Sequence, residues 1–540
     1  MHKLRSLPFA ILPWILLTFQ PLTAQNTGSP QNQPNIPTFQ VTSTLVFLDV
    51  TVLDKQGHPV VTGLTKDDFK ITDDKKPQRI FSFEAPETHV MSANPGNHNP
   101  EGKAPVTILV LDLLDSRFQD FAYIRYEAKK FLMAQPALLT APAELLVVGN
   151  DSLEMLQGYT RSREDLIYAL DHLPAALPYK EMNGEFVWER FAQSIDALQQ
   201  IALQNKGVPG RKNVIWVGHG GPGVFLDSAV LTEPVVEQLK AYAHHTTNML
   251  VDSRISLFVV YPGLSVNHSD MSISGMDSTI DLSDDDPFAG NVNFGLFANE
   301  TGGKVYYNRN DLAHLIARSE QLGSEYYTLT YQPSDTAADG KFRRIRVSLT
   351  NPNLRVVTKA GYFAPNPNAP MNARQKAMTN ITEAATATVP FTALKVSMKS
   401  MVRHPDTRSL DMVVQTQDKH LLWQAAEDGK NKATLLLAAA SLNADGSIVA
   451  SRVERVRLST PLQDPAARAA LVTPMAITVR FPRNATHVRV VVESEDGGRM
   501  GAVDLTRKAI DAAPAEPTPE PQLAPHRPQY QPPASSAPAS

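Results

Sequence analysis

The sequence predicts a mixed α/β fold, in which a Rossmann-like parallel sheet carries helices on both faces. A small N-terminal β module and a C-terminal β-sandwich flank this region. Between residues 104 and 365, continuous apolar runs alternate with stretches whose apolar residues recur at helical spacing. This alternation is typical of buried parallel strands joined by helices. On both sides of the region, shorter β-branched runs separated by turn residues predict strands without helices.

The positions of the apolar runs and of the helical patterns predict the individual strands and helices of the α/β region. Apolar runs predict buried strands over residues 106–111, 144–148, 214–217 and 255–261. Helical spacing of apolar residues predicts helices around residues 121–132, 188–202, 235–249 and 312–322. Because strands and helices alternate, we expect the strands to be parallel and the helices to cover the sheet.

The flanking regions lack this alternation. Residues 39–84 predict a small β module, and the polar stretch 85–103 predicts a linker. The α/β domain, 104–365, ends in short strands that predict closing β hairpins. A second linker is expected over 366–387, and the turn-separated strands of 388–508 predict a β-sandwich.

The two ends of the chain predict export and disorder. A short basic start (His2, Lys3 and Arg5) precedes an apolar run over 7–19, and Ala24 offers a cleavage site, so residues 1–24 are expected to be a signal peptide. The protein would then be secreted or periplasmic and would contact the membrane only transiently, through that peptide. Residues 25–38 and the Pro-rich tail 509–540 are expected to be disordered.

Composition excludes several functions. The net charge is −4, so no overall basic field indicates nucleic-acid binding. The chain has no cysteine, which excludes disulfides, thiol catalysis and zinc sites built on cysteine.

The end of the first predicted strand is the candidate functional site, because ligands of open parallel sheets bind outside the carboxyl ends of the strands. Asp112 lies at this end, and Asp115 and Ser116 follow it. A carboxylate and a hydroxyl in this arrangement suit a hard cation such as Mg²⁺. The alternative is that Asp112 caps the next helix or binds backbone amides.

The order of elements, the Asp112 loop and one later strand resemble a von Willebrand factor type A domain. That strand is Gly210-Arg-Lys-Asn-Val-Ile-Trp-Val217. The family's metal-dependent adhesion site uses an Asp-x-Ser-x-Ser loop, a distant Thr and an Asp after a later strand. The resemblance therefore implies a protein-binding domain with its ligand site at Asp112.

Flanking stretches make the chain similar to bacterial von Willebrand A-related proteins described from Acidobacteria, over roughly residues 39–365. The stretches that carry this similarity are Asp54-Lys-Gln-Gly-His-Pro-Val-Val-Thr-Gly-Leu-Thr-Lys-Asp-Asp-Phe69, Ser324-Glu-Tyr-Tyr-Thr-Leu-Thr-Tyr331, Asp339-Gly-Lys-Phe-Arg343 and Lys359-Ala-Gly-Tyr-Phe-Ala-Pro365.

The chain departs from the family's metal pattern at two positions. Asp112 and Ser116 match it, but Leu114 replaces the first Ser and His219 replaces the later Asp. Imidazole suits Zn²⁺ or Cu²⁺ better than Mg²⁺, and Asp115 offers only partial compensation. The resemblance thus implies a degenerate metal site made of Asp112, Ser116, Asp115 and His219. We expect no cofactor, with Mg²⁺ or another divalent cation as the alternative.

These observations predict an exported, non-enzymatic binding or adhesion protein whose partner is a protein or a component of the cell envelope. A competing hypothesis is an α/β-hydrolase-like enzyme, because His219-Gly-Gly-Pro-Gly223 resembles the oxyanion loop of some such enzymes. The sequence has no Gly-x-Ser-x-Gly elbow for the nucleophile. A third hypothesis is a purely structural envelope component.

Overall fold

The computed structural model describes most of the chain between Leu45 and Glu516. The described ranges are 45–91, 103–114, 118–149, 153–173, 187–218, 220, 223–227, 231–262, 286–365, 373–387, 390–391, 393–418, 421, 423–426, 429–461, 471–494 and 498–516. The expected signal peptide, the 25–38 segment and the tail beyond residue 516 lie outside them. So do Asp115, Ser116 and His219.

A six-stranded sheet forms the centre of the α/β region. Its strands are β5 (Val106–Asp112), β6 (Leu138–Val148), β7 (Leu153–Ser162), β8 (Lys212–Val217), β10 (Ile255–Pro262) and β12 (Lys304–Arg309). Their order in the sheet is β12-β10-β8-β5-β6-β7. If these six are counted in chain order, the arrangement is 3-2-1-4-5-6, which is the Rossmann order. Neighbours are parallel except β6 and β7, which are antiparallel.

The predicted mixed α/β fold with a parallel sheet is confirmed. The sequence does not predict two strands of this sheet, β7 and β12. Both β7 and β12 lie at edges of the sheet. Most residues of β7 are only partly buried, so its sequence is more polar than that of a central strand. The apolar run by which a buried parallel strand is recognised is therefore absent at these positions.

Helices cover both faces of this sheet. Alternate residues of each strand point to opposite faces, so Ile108 and Val110 belong to one core cluster and Leu109 and Leu111 to another. The first face is covered by α3 (Val187–Gln204), α4 (Glu233–Asp252) and α5 (Phe294–Glu300). The second face is covered by α1 (Phe118–Ala134), α2 (Arg163–Asp171) and α6 (Leu312–Ser324).

The N-terminal strands do not form a module of their own. Two four-stranded sheets have the orders β15-β1-β13-β4 and β16-β14-β2-β3, so each combines strands from both ends of the region. These strands are β1 (Val46–Leu53), β2 (Phe69–Asp73), β3 (Lys76–Gln78), β4 (Ile80–Glu84), β13 (Tyr327–Tyr331), β14 (Phe342–Leu349), β15 (Arg355–Val357) and β16 (Gly361–Phe363). The module predicted over 39–84 thus needs the closing hairpins to complete its core. One short 3-10 helix, Lys66–Asp68, precedes β2, and another, Pro86–Thr88, follows β4.

A buried polar junction fixes strand β1 to the base of the central sheet. The guanidinium of Arg211, which precedes β8, donates to Thr51 Oγ1 at 2.9 Å and to Ser256 Oγ at 2.8 Å. Arg254 forms an ion pair with Asp49 of β1 and donates to Thr328 Oγ1 at 3.1 Å. Buried cations persist only when they are paired and hydrogen-bonded, so this junction requires both ends of the region to be present.

Two antiparallel sheets enclose one core in the C-terminal region. The first contains β17 (Val396–His404), β18 (Ser409–Gln417) and β22 (Val472–Arg480). The second contains β19 (Gln424–Ala425), β20 (Asn431–Leu442), β21 (Ile448–Thr460), β23 (His487–Ser494) and β24 (Met500–Thr506).

The segment predicted as a linker, 366–387, instead contains helix α7 (Ala373–Thr386). Ile381, Ala384 and Ala385 are buried and join the core cluster that includes α3 and the outer face of β20. Arg489 binds Asp504 with two hydrogen bonds, of 2.6 and 2.7 Å, and donates to the carbonyls of Ala384 and Ala387. A cation at the C-terminus of a helix satisfies its last carbonyls. The helix therefore fastens the C-terminal sheets to the α/β region.

The end of the described chain is ordered beyond the boundary predicted for the tail, 509. A short helix, α8 (Arg507–Asp511), follows β24, and Ala515 forms a parallel bridge with Arg403 of β17. Backbone hydrogen bonds, rather than apolar burial, hold residues 514–516, which explains why the proline-rich sequence gave no signal of order. No helix within the described ranges has the length and apolar character needed to cross a membrane.

Glu144 of β6 links pH to stability. Its carboxyl is fully buried, accepts a hydrogen bond from Gln204 Nε2 at 2.7 Å, and has a pKa raised by burial to about 7. The raised pKa means that its stabilising contribution is present below the ordinary pKa and is lost as pH rises towards 7. Glutamine does not ionise, so this loss is absent in Glu144→Gln. When pH rises from 5 to 8, the unfolding free energy of the variant should therefore increase by about 2 to 3 kcal/mol relative to that of wild type.

Urea unfolding at both pH values measures this difference. The matched control is Glu154→Gln, because Glu154 is exposed on the neighbouring strand. An equal pH dependence of unfolding for Glu144→Gln and wild type would contradict the assignment.

Candidate functional site

Asp112 occupies the carboxyl end of β5 and is fully buried. Three N–H groups donate to its carboxylate. The amide of Leu114 donates to Oδ1 at 2.9 Å, while the indole Nε1 of Trp216 and the amide of Gly220 donate to Oδ2 at 3.0 and 2.6 Å. The carboxylate therefore connects the end of β5 to the end of β8 and to the loop that follows β8.

Local sequence explains each of these donors. Asp side chains bind the amide two residues later in an Asx turn, which accounts for the bond from Leu114. Leu114 itself is 5 % exposed and belongs to the core cluster on the α3 face. Trp216 points to the same face of the sheet as Asp112, because it pairs with Val110, two residues earlier on β5.

Two glycines allow the loop after β8 to approach Asp112. Gly218 has φ 147°, and a Cβ there would lie 2.3 Å from the Cβ of Asp112. Gly220 has φ 68°, and a Cβ there would lie 2.7 Å from the ring of Phe294. The Gly-rich stretch after β8 is thus required by the close packing of backbone against a buried carboxylate and a buried ring.

Burial dominates the electrostatics of Asp112. Desolvation raises the pKa of its carboxyl, and the hydrogen bonds from Trp216, Leu114 and Gly220 and the charge of Arg190 act in the opposite direction. The donors reduce the cost of holding the carboxylate in the core but do not eliminate it.

The described residues at this edge do not fit a divalent metal centre. Both oxygens of Asp112 are directed at N–H donors, whose positive ends oppose a cation at the same place. Leu114 packs in the core and provides no oxygen. Within the described ranges, no group of three or more His, Asp or Glu residues is placed to hold a metal. The positions predicted at Asp115, Ser116 and His219 lie outside those ranges.

The sequence predicts Asp112 as a site residue but does not indicate the indole that donates to it. Trp216 was counted as part of an apolar strand, although its ring also carries an N–H that must find an acceptor when buried. A tryptophan two residues before a Gly-x-Gly loop, on the strand next to a terminal Asp, was the available signal.

Aromatic side chains surround this edge of the sheet. Phe294 packs on Trp216 with ring centroids 4.6 Å apart, and Tyr261 of β10 stacks on Tyr307 of β12 at 5.1 Å. The two-stranded ribbon of β9 (Val224–Phe225) and β11 (Asn291–Val292) follows the loop after β8. Phe225 and Tyr307 each remain 39 % exposed. Phe225 and Tyr307 are therefore partly exposed aromatic side chains, whereas the Asp112 carboxylate is buried.

No protein family matches the sequence, and no curated protein matches it. One solved structure with similarity to the chain is the crystal structure of the SpRpn10 VWA domain, which is 13% identical in sequence. The match covers 41% of this chain and 97% of that domain, with a TM-score of 0.21. A TM-score of this size supports no statement about function.

Gly218→Ala tests the close approach of the loop to Asp112. The added Cβ would overlap the side chain of Asp112, so we expect a loss of unfolding free energy of roughly 2 to 4 kcal/mol. Gly63→Ala is the matched control, because Gly63 also has positive φ, 83°, but nothing lies within 4 Å of a Cβ there. That variant should lose only about 1 kcal/mol. Urea unfolding of both variants measures the difference, and equal losses would show that the contact is absent.

Proposed function

We propose that the chain is an exported, non-enzymatic binding protein with an α/β domain of von Willebrand A type. The proposed ligand is a protein or a component of the cell envelope. It would dock at the C-terminal edge of the parallel strands without a divalent cation. The observation that carries this proposal is the Asp112 carboxylate, whose oxygens accept hydrogen bonds from the protein itself.

The topology of the central sheet supports the choice of edge. In sheets with the order 3-2-1-4-5-6, ligands bind outside the carboxyl ends of the strands, near the point where the strand order reverses. In this chain that point lies between β5 and β8. Asp112, Trp216 and Gly220 meet there. The loop after β8, which is hydrogen-bonded to Asp112, therefore lies where a ligand is expected.

The exposed aromatic residues support a macromolecular ligand. Phe225, in the β9–β11 ribbon, and Tyr307, on β12, are each 39 % exposed. Aromatic residues are enriched in protein interfaces, where a rigid apolar ring gains contact area at little entropic cost. A ligand that covers these rings would need no metal ion for attachment.

Export is proposed on the sequence of the N-terminus. Its basic start, its apolar run and the small residue Ala24 have the form of a secretory signal. The sequence similarity to bacterial von Willebrand A-related proteins described from Acidobacteria is consistent with a role in a bacterial envelope.

A sedimentation assay with washed cell envelopes from the producing organism tests the binding proposal. The purified chain should co-sediment equally in Mg²⁺ and in EDTA. Phe225→Ala should weaken binding about tenfold, since it removes an aromatic contact at the proposed edge. The matched control is Phe81→Ala, because Phe81 is 73 % exposed on strand β4, in a different sheet. Loss of binding in EDTA, or equal binding by the two variants, would contradict the proposal.

An activity assay tests the proposed absence of catalysis. We expect the purified chain to hydrolyse p-nitrophenyl acetate no faster than buffer alone. The discriminating variant is His219→Ala, which alters the oxyanion-like loop. Turnover that is present in wild type and absent in this variant would favour the hydrolase hypothesis instead.

A further inference from the structure

We propose that His404 is a proton-dependent anchor for the beginning of the proline-rich C-terminal segment. In its doubly protonated form the ring binds residues 514–516 to the outer side of β17. When the ring loses one proton, this attachment weakens. The inference concerns the C-terminal region and does not depend on the ligand-binding role of the central sheet.

Residues 514–516 lie along one end of β17. The amide of Arg403 donates to the carbonyl of Pro514 at 2.8 Å, and the amide of Glu516 donates back to the carbonyl of Arg403 at 2.9 Å. Ala515 forms the parallel bridge between these two bonds. All three residues 514–516 are exposed. Apolar burial therefore contributes little to their attachment, and polar contacts decide it.

The ring of His404 supplies the third contact. It is the last residue of β17, and its side chain is only 3 % exposed. Its Nδ1 lies 3.0 Å from the carbonyl oxygen of Glu516, and its Nε2 lies 2.9 Å from Oδ2 of Asp411 on β18. The ring thus bridges the second strand of the sheet and the last described residue of the chain.

The chemistry of the two acceptors determines the protonation state. A carbonyl oxygen only accepts hydrogen bonds, and an ionised carboxylate only accepts them as well. The other oxygen of Asp411 already accepts from Thr478 Oγ1 at 2.6 Å. A neutral imidazole has one N–H and can serve one of the two acceptors, whereas an imidazolium has two and serves both. Both contacts can therefore be hydrogen bonds at the same time only when the ring is charged.

The charged groups around the ring favour this state. Asp411 contacts the ring through a carboxylate oxygen. Arg480 of β22 belongs to the same row of the sheet, but Ser409 lies between it and His404. Glu516 and Asp406 are both exposed residues. The Asp411 carboxylate, 2.9 Å from Nε2, favours the charged form of the ring.

Loss of the proton should therefore release the beginning of the C-terminal segment. The remaining N–H would be retained by the carboxylate, which is the stronger acceptor, so the carbonyl of Glu516 would lose its donor. Two backbone bonds on an exposed edge would then hold residues 514–516 alone. Residues 514–516 would then detach from β17 more readily.

Hydrogen exchange of the full chain between pH 5 and pH 8.5 tests the anchor. After correction for intrinsic exchange, protection of the Glu516 amide should fall about fivefold, with a midpoint in the histidine range. In His404→Gln this midpoint should disappear. The matched control is His487→Gln, because His487 belongs to the same pair of sheets and bonds only Thr486 in the described contacts. This control should retain the wild-type midpoint.

Asp411→Asn provides a second test that leaves the ring in place. Without the carboxylate, the imidazolium loses its ion partner, so the midpoint should move down by about one pH unit. Protection that does not change with pH in wild type would overturn the proposal. A midpoint that persists in His404→Gln, or one that Asp411→Asn leaves unchanged, would also overturn it.

Discussion

A carboxylate that is fully removed from solvent must accept hydrogen bonds from the protein. Asp112, at the end of β5, accepts them from the amides of Leu114 and Gly220 and from the indole of Trp216. These bonds fix the loop after β8 against the first strand of the sheet. They also explain why Gly218 must lack a side chain. The shape of the C-terminal edge, and therefore of any surface that a ligand meets there, depends on this one buried group.

Buried contacts also join the central sheet to the strands before it and to the C-terminal sheets. The polar junction of Arg211 and the Asp49–Arg254 ion pair joins strand β1 to the base of the central sheet. Helix α7 continues the core of the α3 face into the C-terminal sheets, and Arg489 satisfies its last carbonyls. Because buried polar groups lose their partners when one element leaves, we expect these regions to support one another's stability.

The sequence predicted the central strands because parallel strands buried on both faces leave long apolar runs, as in β5 and β8. It could not predict β7 and β12, whose edge positions allow polar residues. It also could not predict the pairing of β1 with β13, because these two strands lie far apart in the chain. At the site, the terminal Asp112 was visible in the sequence. Its donors were not, because a tryptophan in an apolar run does not reveal where its N–H points.

We propose that protein donors, and not a cation, occupy the Asp112 carboxylate, and the indole of Trp216 reports on this directly. The sequence contains four tryptophans, so the indole signal is readily assigned by Trp216→Phe in a ¹⁵N-tryptophan spectrum of the full chain. A Mn²⁺ ion bound to the carboxylate would lie within a few ångströms of this N–H and would broaden its signal. Our account predicts that the Trp216 indole signal keeps its intensity in excess Mn²⁺, as the other indole signals do. Selective broadening of that signal, reversed by Mg²⁺, would contradict it.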